Sequence, residues 1–269
     1  MNDITLGQFI PRNSCVHRLD PRTKLALLVF YIVLVFYVKS IPLFIFPFLY
    51  SVIALLLSKV SLTYLYRSLR PIRFLLIFMF ILNLIVTSGE TVLISFWIIK
   101  ITKEALRQAV FITLRLMLLV SGSSILTLTT SPLQLTNGFE KIMSPLKKIH
   151  FPAHELAMMM TIALRFIPTL MEETEKIQKA QLSRGADFES GNPIARAKAM
   201  LPILIPLFVS AFRRADELAM AMEARCYHGG EGRTKLHELK FCKRDLWATL
   251  ISLCMLGIVI VLDHCLAVI

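Results

Sequence analysis

Nowhere in its 269 residues does the chain place Lys directly after Gly. A GxxxxGK[ST] loop needs that pair to aim backbone amides and an ammonium at the same phosphates, so the chain is not expected to bind or hydrolyse ATP itself. A GxSxG elbow and an HExxH pair are also missing, which removes two common hydrolase signatures. Only 5 cysteines occur, Cys15, Cys226, Cys242, Cys254 and Cys265, and no two are spaced as CxxC. Neither a disulfide framework nor a cysteine metal site is indicated. Glycine is scarce, at 10 residues, and charged residues make up 18% of the chain, against about 25% in an average soluble domain. The first two dozen residues include Asp3, Arg12, His17, Arg18 and Asp20 and lack the apolar core of a secretory signal. Insertion is therefore expected to rely on internal helices.

What is abundant is apolar. Hydrophobic residues reach 56%, above the roughly 45–50% of soluble domains, and mean hydropathy is +0.66. The excess must face lipid. The net charge of +12 fits a nucleic-acid binder in isolation. Cytoplasmic loops of membrane proteins collect Lys and Arg, however, and this explains the charge without a nucleic-acid partner.

Apolar runs cover Lys24–Val38 and Pro42–Leu57, joined by an external turn at Ser40, then Phe74–Thr87, Ala105–Thr130 and Leu246–Val261. About five spans follow, since a bilayer needs about 20 apolar residues per helix and flanking residues extend the short ones. Val92–Ile101 is rich in aromatic and β-branched residues and reads as a short extended or interfacial element. Lys100, Lys103 and Arg107 fall toward the outer end of this arrangement, against the charge rule. The chain divides into N-terminal spans over 1–130, a cytoplasmic-facing module over 131–244, and a last span over 245–269. The middle module holds roughly half of all Lys and Arg. Its apolar runs are short, with Ala199–Phe212 suggesting a buried or re-entrant segment, and Pro168, Pro202 and Pro206 are expected to kink or break its helices.

Within that module one pattern repeats. Ile177, Ala180 and Arg184 recur as Leu218, Ala221 and Arg225, and Asp216 repeats the place of Glu175. At helical spacing each trio forms one stripe with an arginine at the C-terminal tip. Ser183 and Gly185 flank the first arginine, and Ala224 and Cys226 the second. A basic residue before a helix-ending glycine is ordinarily a C-cap, but recurrence of the whole stripe makes capping an incomplete explanation. An arginine fork also pairs bidentately with carboxylates, which suits docking to two similar partners.

Other candidates read more plainly. Leu19-Asp20-Pro21-Arg22-Thr23-Lys24-Leu25 reads as the start of a membrane helix, with Asp20 as cap and Pro21 in the first turn. Arg165 lies in an apolar stretch and is expected to face a protein interior or to pair. His150 and His154 are four apart, but Pro152 intervenes and no third ligand is evident, so no metal site is expected. Asp263-His264-Cys265 reads as an exposed end. A membrane-embedded enzyme using these histidines is the alternative from another class, and an autonomous channel or carrier a third. A carrier should carry charged residues inside its spans, where only Arg115 is notable.

Together these blocks resemble the transmembrane coupling component of energy-coupling factor importers. Gly7-Gln8-Phe9-Ile10-Pro11 and His17 to Leu25 are similar to its N-terminal block. Leu164-Arg165-Phe166-Ile167-Pro168 is similar to its central block. Ala180-Gln181-Leu182-Ser183-Arg184-Gly185-Ala186-Asp187 and Ala221-Met222-Glu223-Ala224-Arg225 resemble its two Ala-Arg-Gly blocks. Ser183 stands where alanine is usual, and Cys226 where glycine is usual, which puts the backbone after Arg225 in question. The resemblance implies an all-α integral membrane protein of about five transmembrane helices plus long cytoplasmic-facing coupling helices, with no catalytic, metal or cofactor site of its own. It implies two cytoplasmic ABC-type ATPases that bind the ATP, and a small substrate-binding membrane subunit, with several such subunits interchangeable. It places the chain in a bacterial or archaeal cell membrane as part of a vitamin or micronutrient importer of the shared-module subgroup, the alternative being a dedicated cobalt or nickel importer. Met158-Met159-Met160 offers an adaptable surface for more than one substrate subunit.

Overall fold

The computed structural model describes residues 9–89, 91–96, 99–149, 151–188, 192–229 and 241–268. The described residues are almost wholly helical: α1 (Pro21–Tyr37), α2 (Ile45–Ser58) after a 3-10 turn at Ile41–Phe44, α3 (Leu62–Leu69), α4 (Arg73–Val86), α5 (Lys103–Thr129), α6 (Pro132–Met143), α7 (Ala153–Ser183), α8 (Pro193–Glu223) and α9 (Lys243–Val268). The extended element is present as an antiparallel hairpin, β1 (Val92–Phe96) with β2 (Ile99–Thr102), pairing Phe96 with Ile99 and Val92 with Thr102. Thr102 then caps α5, its hydroxyl accepting from the Ala105 amide at 3.2 Å.

Three helical stretches are long and apolar enough to cross a membrane: Ile41–Ser58, Lys103–Thr129 and Lys243–Asp263. α3 and α4 make a fourth if taken together, bent by 58°. Pro71 lies at that bend, where its ring and missing N–H interrupt the helical ladder. α1, at 17 residues, is short of a full span and packs against both α5 and α9.

The chain forms two compact units, Met1–Gly138 with Glu238–Ile269, and Phe139–His237. The core of the first gathers Tyr31, Leu34, Val35, Val38, Phe44, Leu118 and Val259. Between lipid-facing helices such burial adds close packing rather than release from water. Gly122 is needed for it, because a Cβ there would collide with the Tyr31 ring.

Three side chains then fasten α1 to α5 in antiparallel register. The Lys24 ammonium donates to the Thr129 carbonyl at 3.0 Å, the Tyr31 hydroxyl to the Leu118 carbonyl at 3.1 Å, and the Arg115 guanidinium to the Val38 carbonyl at 2.9 Å. Thr129 and Val38 end their helices, so their carbonyls lack an intrahelical donor. A cation from the neighbouring helix satisfies each one and meets the negative dipole end. Arg115 is further held over the faces of Phe111 and Phe36, at 4.6 and 5.5 Å.

In the second unit the prolines do not break their helices. α7 runs unbroken through Pro168, and α8 through Pro202 and Pro206. Each proline deletes one ladder bond, and the turns on either side keep the helix in register. Ala199–Phe212 is accordingly no separate re-entrant segment but the middle of α8. Within this chain only Ile203 and Ser210 of that stretch are buried, while Ile205, Phe208, Val209 and Phe212 are exposed.

Candidate functional site

α7 and α8 pair with each other in the second unit. Arg214 on α8 donates to Glu173 on α7 at 2.7 Å. Counting back from the two arginines, both residues lie eleven positions before the tip, so the helices touch at equivalent points of the repeat. At 1.5 Å rise per residue each arginine stands about 16 Å beyond that contact.

The two tips share one backbone geometry. At the end of α7, the Gly185 amide donates to the Leu182 carbonyl and the Ala186 amide to the Gln181 carbonyl, both at 3.0 Å, with Gly185 at φ +83°. At the end of α8, the Cys226 amide donates to the Glu223 carbonyl at 2.8 Å and the Tyr227 amide to the Met222 carbonyl at 3.1 Å, with Cys226 at φ +53°. Both are Schellman turns, and Arg184 and Arg225 occupy the same place in each. The question raised by Cys226 is answered: it adopts the left-handed conformation that glycine adopts at the first tip. The carbonyls are satisfied by the turn itself, so neither guanidinium is required for capping. Among the described residues no ion pair holds either one.

Exposure also repeats position by position. Ile177 and Leu218 are half-buried, while Ala180, Ala221, Ser183, Ala224, Arg184 and Arg225 are exposed. So are Gly185 and Cys226, and the carboxylates Glu175 and Asp216. Each tip therefore presents an apolar foot, a small-residue step and a cation, on a frame fixed by a long helix.

Other sequence candidates land elsewhere. Arg165 is exposed on α7 rather than turned into an interior. Asp263 is not an exposed end but a buried residue of α9, at 7% exposure. His154 faces Glu140, Nδ1 to Oε1 at 3.0 Å, and His150 lies outside the described residues. Among the described residues no three His, Cys, Asp or Glu side chains gather.

The segment before α1 holds more than a helix start. Asp20 is its cap, as expected, accepting from the Arg22 amide at 2.9 Å. Beyond that, the buried Asp245 in the first turn of α9 accepts from the Asp20 amide at 2.9 Å and the Cys242 amide at 2.8 Å. Lys24, 5% exposed, donates its ammonium to the His17 carbonyl at 3.1 Å as well as to Thr129. His17 stacks its own bonds, Nδ1 to the Ser14 hydroxyl and Nε2 to the Ile10 carbonyl. Burial pushes the His17 imidazole below its ordinary value, the Ile10 carbonyl opposes this, and the charges of Lys24 and Arg12 add to it. Carboxylate at two helix N-termini and ammonium at a helix C-terminus thus tie α1, α5 and α9 together.

Residues 12–236 match the family profile CbiQ, described as cobalt transport protein. The chain belongs to this family. It is 53% identical over 259 residues to the energy-coupling factor transporter transmembrane protein EcfT of Clostridium kluyveri, covering 96% of each chain. It is 52% identical over 248 residues to the protein so named in Thermosediminibacter oceani, with 92% of this chain and 93% of the relative covered. With that of Lactococcus lactis the identity is 48% over 245 residues, covering 91% and 92%. Family membership and the apolar helices make this a multi-pass protein of a bacterial membrane.

Proposed function

We propose that the chain is the transmembrane coupling component of an energy-coupling factor importer, a non-catalytic subunit that works with ATPases and a substrate-binding membrane protein. The single observation carrying the residue-level reading is the doubled tip: two Schellman-terminated helices with an exposed arginine at the same place in each. Two similar ATPases of a dimer offer two similar grooves, and each tip supplies one of them with an apolar foot at Ile177 or Leu218 and a cation at Arg184 or Arg225. ATP bound by those partners drives their closure. The motion enters α7 and α8 at their tips, passes the Glu173–Arg214 contact, and reaches the exposed apolar stretch around Ile205, Phe208 and Phe212, where the substrate-binding subunit packs. Exposed Met159 and Met160 on α7 add a surface that repacks against more than one such subunit.

The relatives described above carry the name EcfT rather than that of a dedicated cobalt importer, which favours a shared module serving several small-molecule carriers. Reconstitution tests the reading. In liposomes the purified chain alone should hydrolyse no ATP and move no vitamin. With two ATPases and a substrate-binding subunit it should support ATP-dependent uptake. Uptake by the chain alone would overturn the coupling role.

A further inference from the structure

The first unit contains a cavity that the coupling role leaves unused. Its volume is about 210 Å3, and its walls come from α1, from Val16 and Leu19 just before it, and from the three stretches long and apolar enough to cross a bilayer. Leu28 and Tyr31 of α1, Ile53 and Leu57 of α2, Leu126 of α5 and Ile251 of α9 form most of it. One end is shut by Tyr50, which stacks on Tyr31 with ring centres 5.5 Å apart and shares a 3.1 Å hydrogen bond with Ser252. Lys24 lines the other end as the sole charged residue of the wall among the described residues. Lys24 and Tyr31 are seven residues apart on α1, so the cavity runs about 10 Å along the helix, a third of the bilayer core and within one leaflet. Its rim opens to the lipid-facing surface, where Ile53, Leu57 and Ile251 are 46, 53 and 60% exposed.

We propose that this cleft holds one acyl chain of an anionic phospholipid from the leaflet that contains Lys24. An empty space of this size forfeits dispersion contacts along its whole wall. Apolar walls of this kind do not retain water. The matter outside the rim is hydrocarbon, and a slender flexible chain is what the shape admits. A partner helix, about 10–12 Å across with its side chains, is too broad to enter. Charge selects the headgroup. Lys24 gives two of its three donors to backbone carbonyls. The buried carboxylates of Asp20 and Asp245 lie at the same helix ends and offset Lys24 and Arg22, and exposed Lys243 and Arg244 leave that end with an excess of positive charge. A phosphate of net negative charge complements that end, as at other basic edges of membrane helices. The lipid would fill the space between α2 and α9 beside their Tyr50–Ser252 hydrogen bond. This inference rests on the membrane placement of the chain and not on its coupling role.

Photolabelling tests it. The complex is reconstituted in nanodiscs with phosphatidylglycerol carrying a diazirine on its acyl chain, illuminated, and mapped by peptide mass spectrometry. Labels should concentrate on Leu28, Ile53, Leu57 and Ile251, several-fold above Phe74, Ile77 and Phe78 of α4, which are exposed outside this cleft. The same probe on phosphatidylcholine should label the cleft several-fold less. Ala248→Phe and Leu57→Trp, which fill the cleft from two sides, should each reduce cleft labelling several-fold and leave α4 labelling unchanged. Even labelling of cleft and α4, or cleft labelling that neither substitution reduces, would overturn the site. Equal labelling by both lipids would overturn its headgroup preference. Cross-linking of a photo-leucine at Ile53 to the substrate-binding subunit would put protein there instead and refute the proposal.

Discussion

Arg214 of α8 donates to Glu173 of α7 at 2.7 Å, and the two residues hold the same position in a repeat whose two copies end at Arg184 and Arg225. A contact between equivalent positions gives the two helices arms of the same length from contact to tip. Both side chains are about a quarter exposed, 29 and 23%, so the ion pair itself contributes about 0.5–1 kcal/mol. Its value lies in fixing where the arms touch.

Glu173→Arg alone should place two cations face to face and lower both thermal stability and uptake. Adding Arg214→Glu should restore the pair with its sense reversed and recover most of both. A double-mutant cycle on melting temperature and transport measures the coupling, expected near 1 kcal/mol. Additive losses would show that the contact does not set the arms.

Arg184→Glu or Arg225→Glu should weaken attachment of the ATPases while membrane insertion stays intact, and the double variant should abolish it. A reversed charge in a complementary groove costs about 2–5 kcal/mol when the pair is desolvated. Lys at either position should keep part of the activity, since charge survives without the fork, and Ala should keep less. Co-purification in mild detergent reads the result, and unchanged yield of both ATPases with the double variant would disprove it.

Cys226 holds a conformation that costs an L-residue about 1–2 kcal/mol and glycine little. Cys226→Gly should therefore stabilise the α8 tip by about 1 kcal/mol without altering ATPase attachment. Gly185→Ala should destabilise the α7 tip by a similar amount, although nothing lies within 4 Å of the added methyl. Hydrogen exchange at the Ala186 and Tyr227 amides measures both.

Lys24→Met should leave the His17 and Thr129 carbonyls without their donor, and Asp245→Ala should remove the acceptor of the buried Asp20 amide. Each buried group left unpaired costs about 1–3 kcal/mol. Both variants should melt well below the parent, by detergent thermal shift, while Arg18→Met, away from these bonds, should not.

His17 gives the same cluster a pH signature. Its folded imidazole is held below its ordinary value, so its neutral form is favoured by folding. The associated stability is present above the unfolded value of about 6.5 and is lost as pH falls from there through the folded value. Melting temperature should drop over that acid window in the parent, and the drop should shrink in His17→Gln. Identical profiles would exclude His17 as the titrating group.

The sequence determined what local pattern and composition can carry. An apolar excess with basic loops specified a helical membrane protein, because hydrocarbon tolerates few charges and rewards internally bonded helices. The doubled stripe of Ile177, Ala180 and Arg184 with Leu218, Ala221 and Arg225 was legible because helical periodicity alone places each trio on one face. Asp20 and Pro21 announced the start of α1 for the same local reason. The tertiary structure decided what depends on partners far along the chain. Lys24 reads as part of a helix start until Thr129, 105 positions away, is brought to it, and local pattern does not single out Asp245 until the Asp20 amide reaches it. The unbroken passage of α7 and α8 through three prolines could not be inferred from proline content, since flanking turns set whether one lost bond ends a helix. The pairing of Glu173 with Arg214 likewise followed only from packing: periodicity fixes which face a residue occupies, and the crossing of two helices fixes what that face meets.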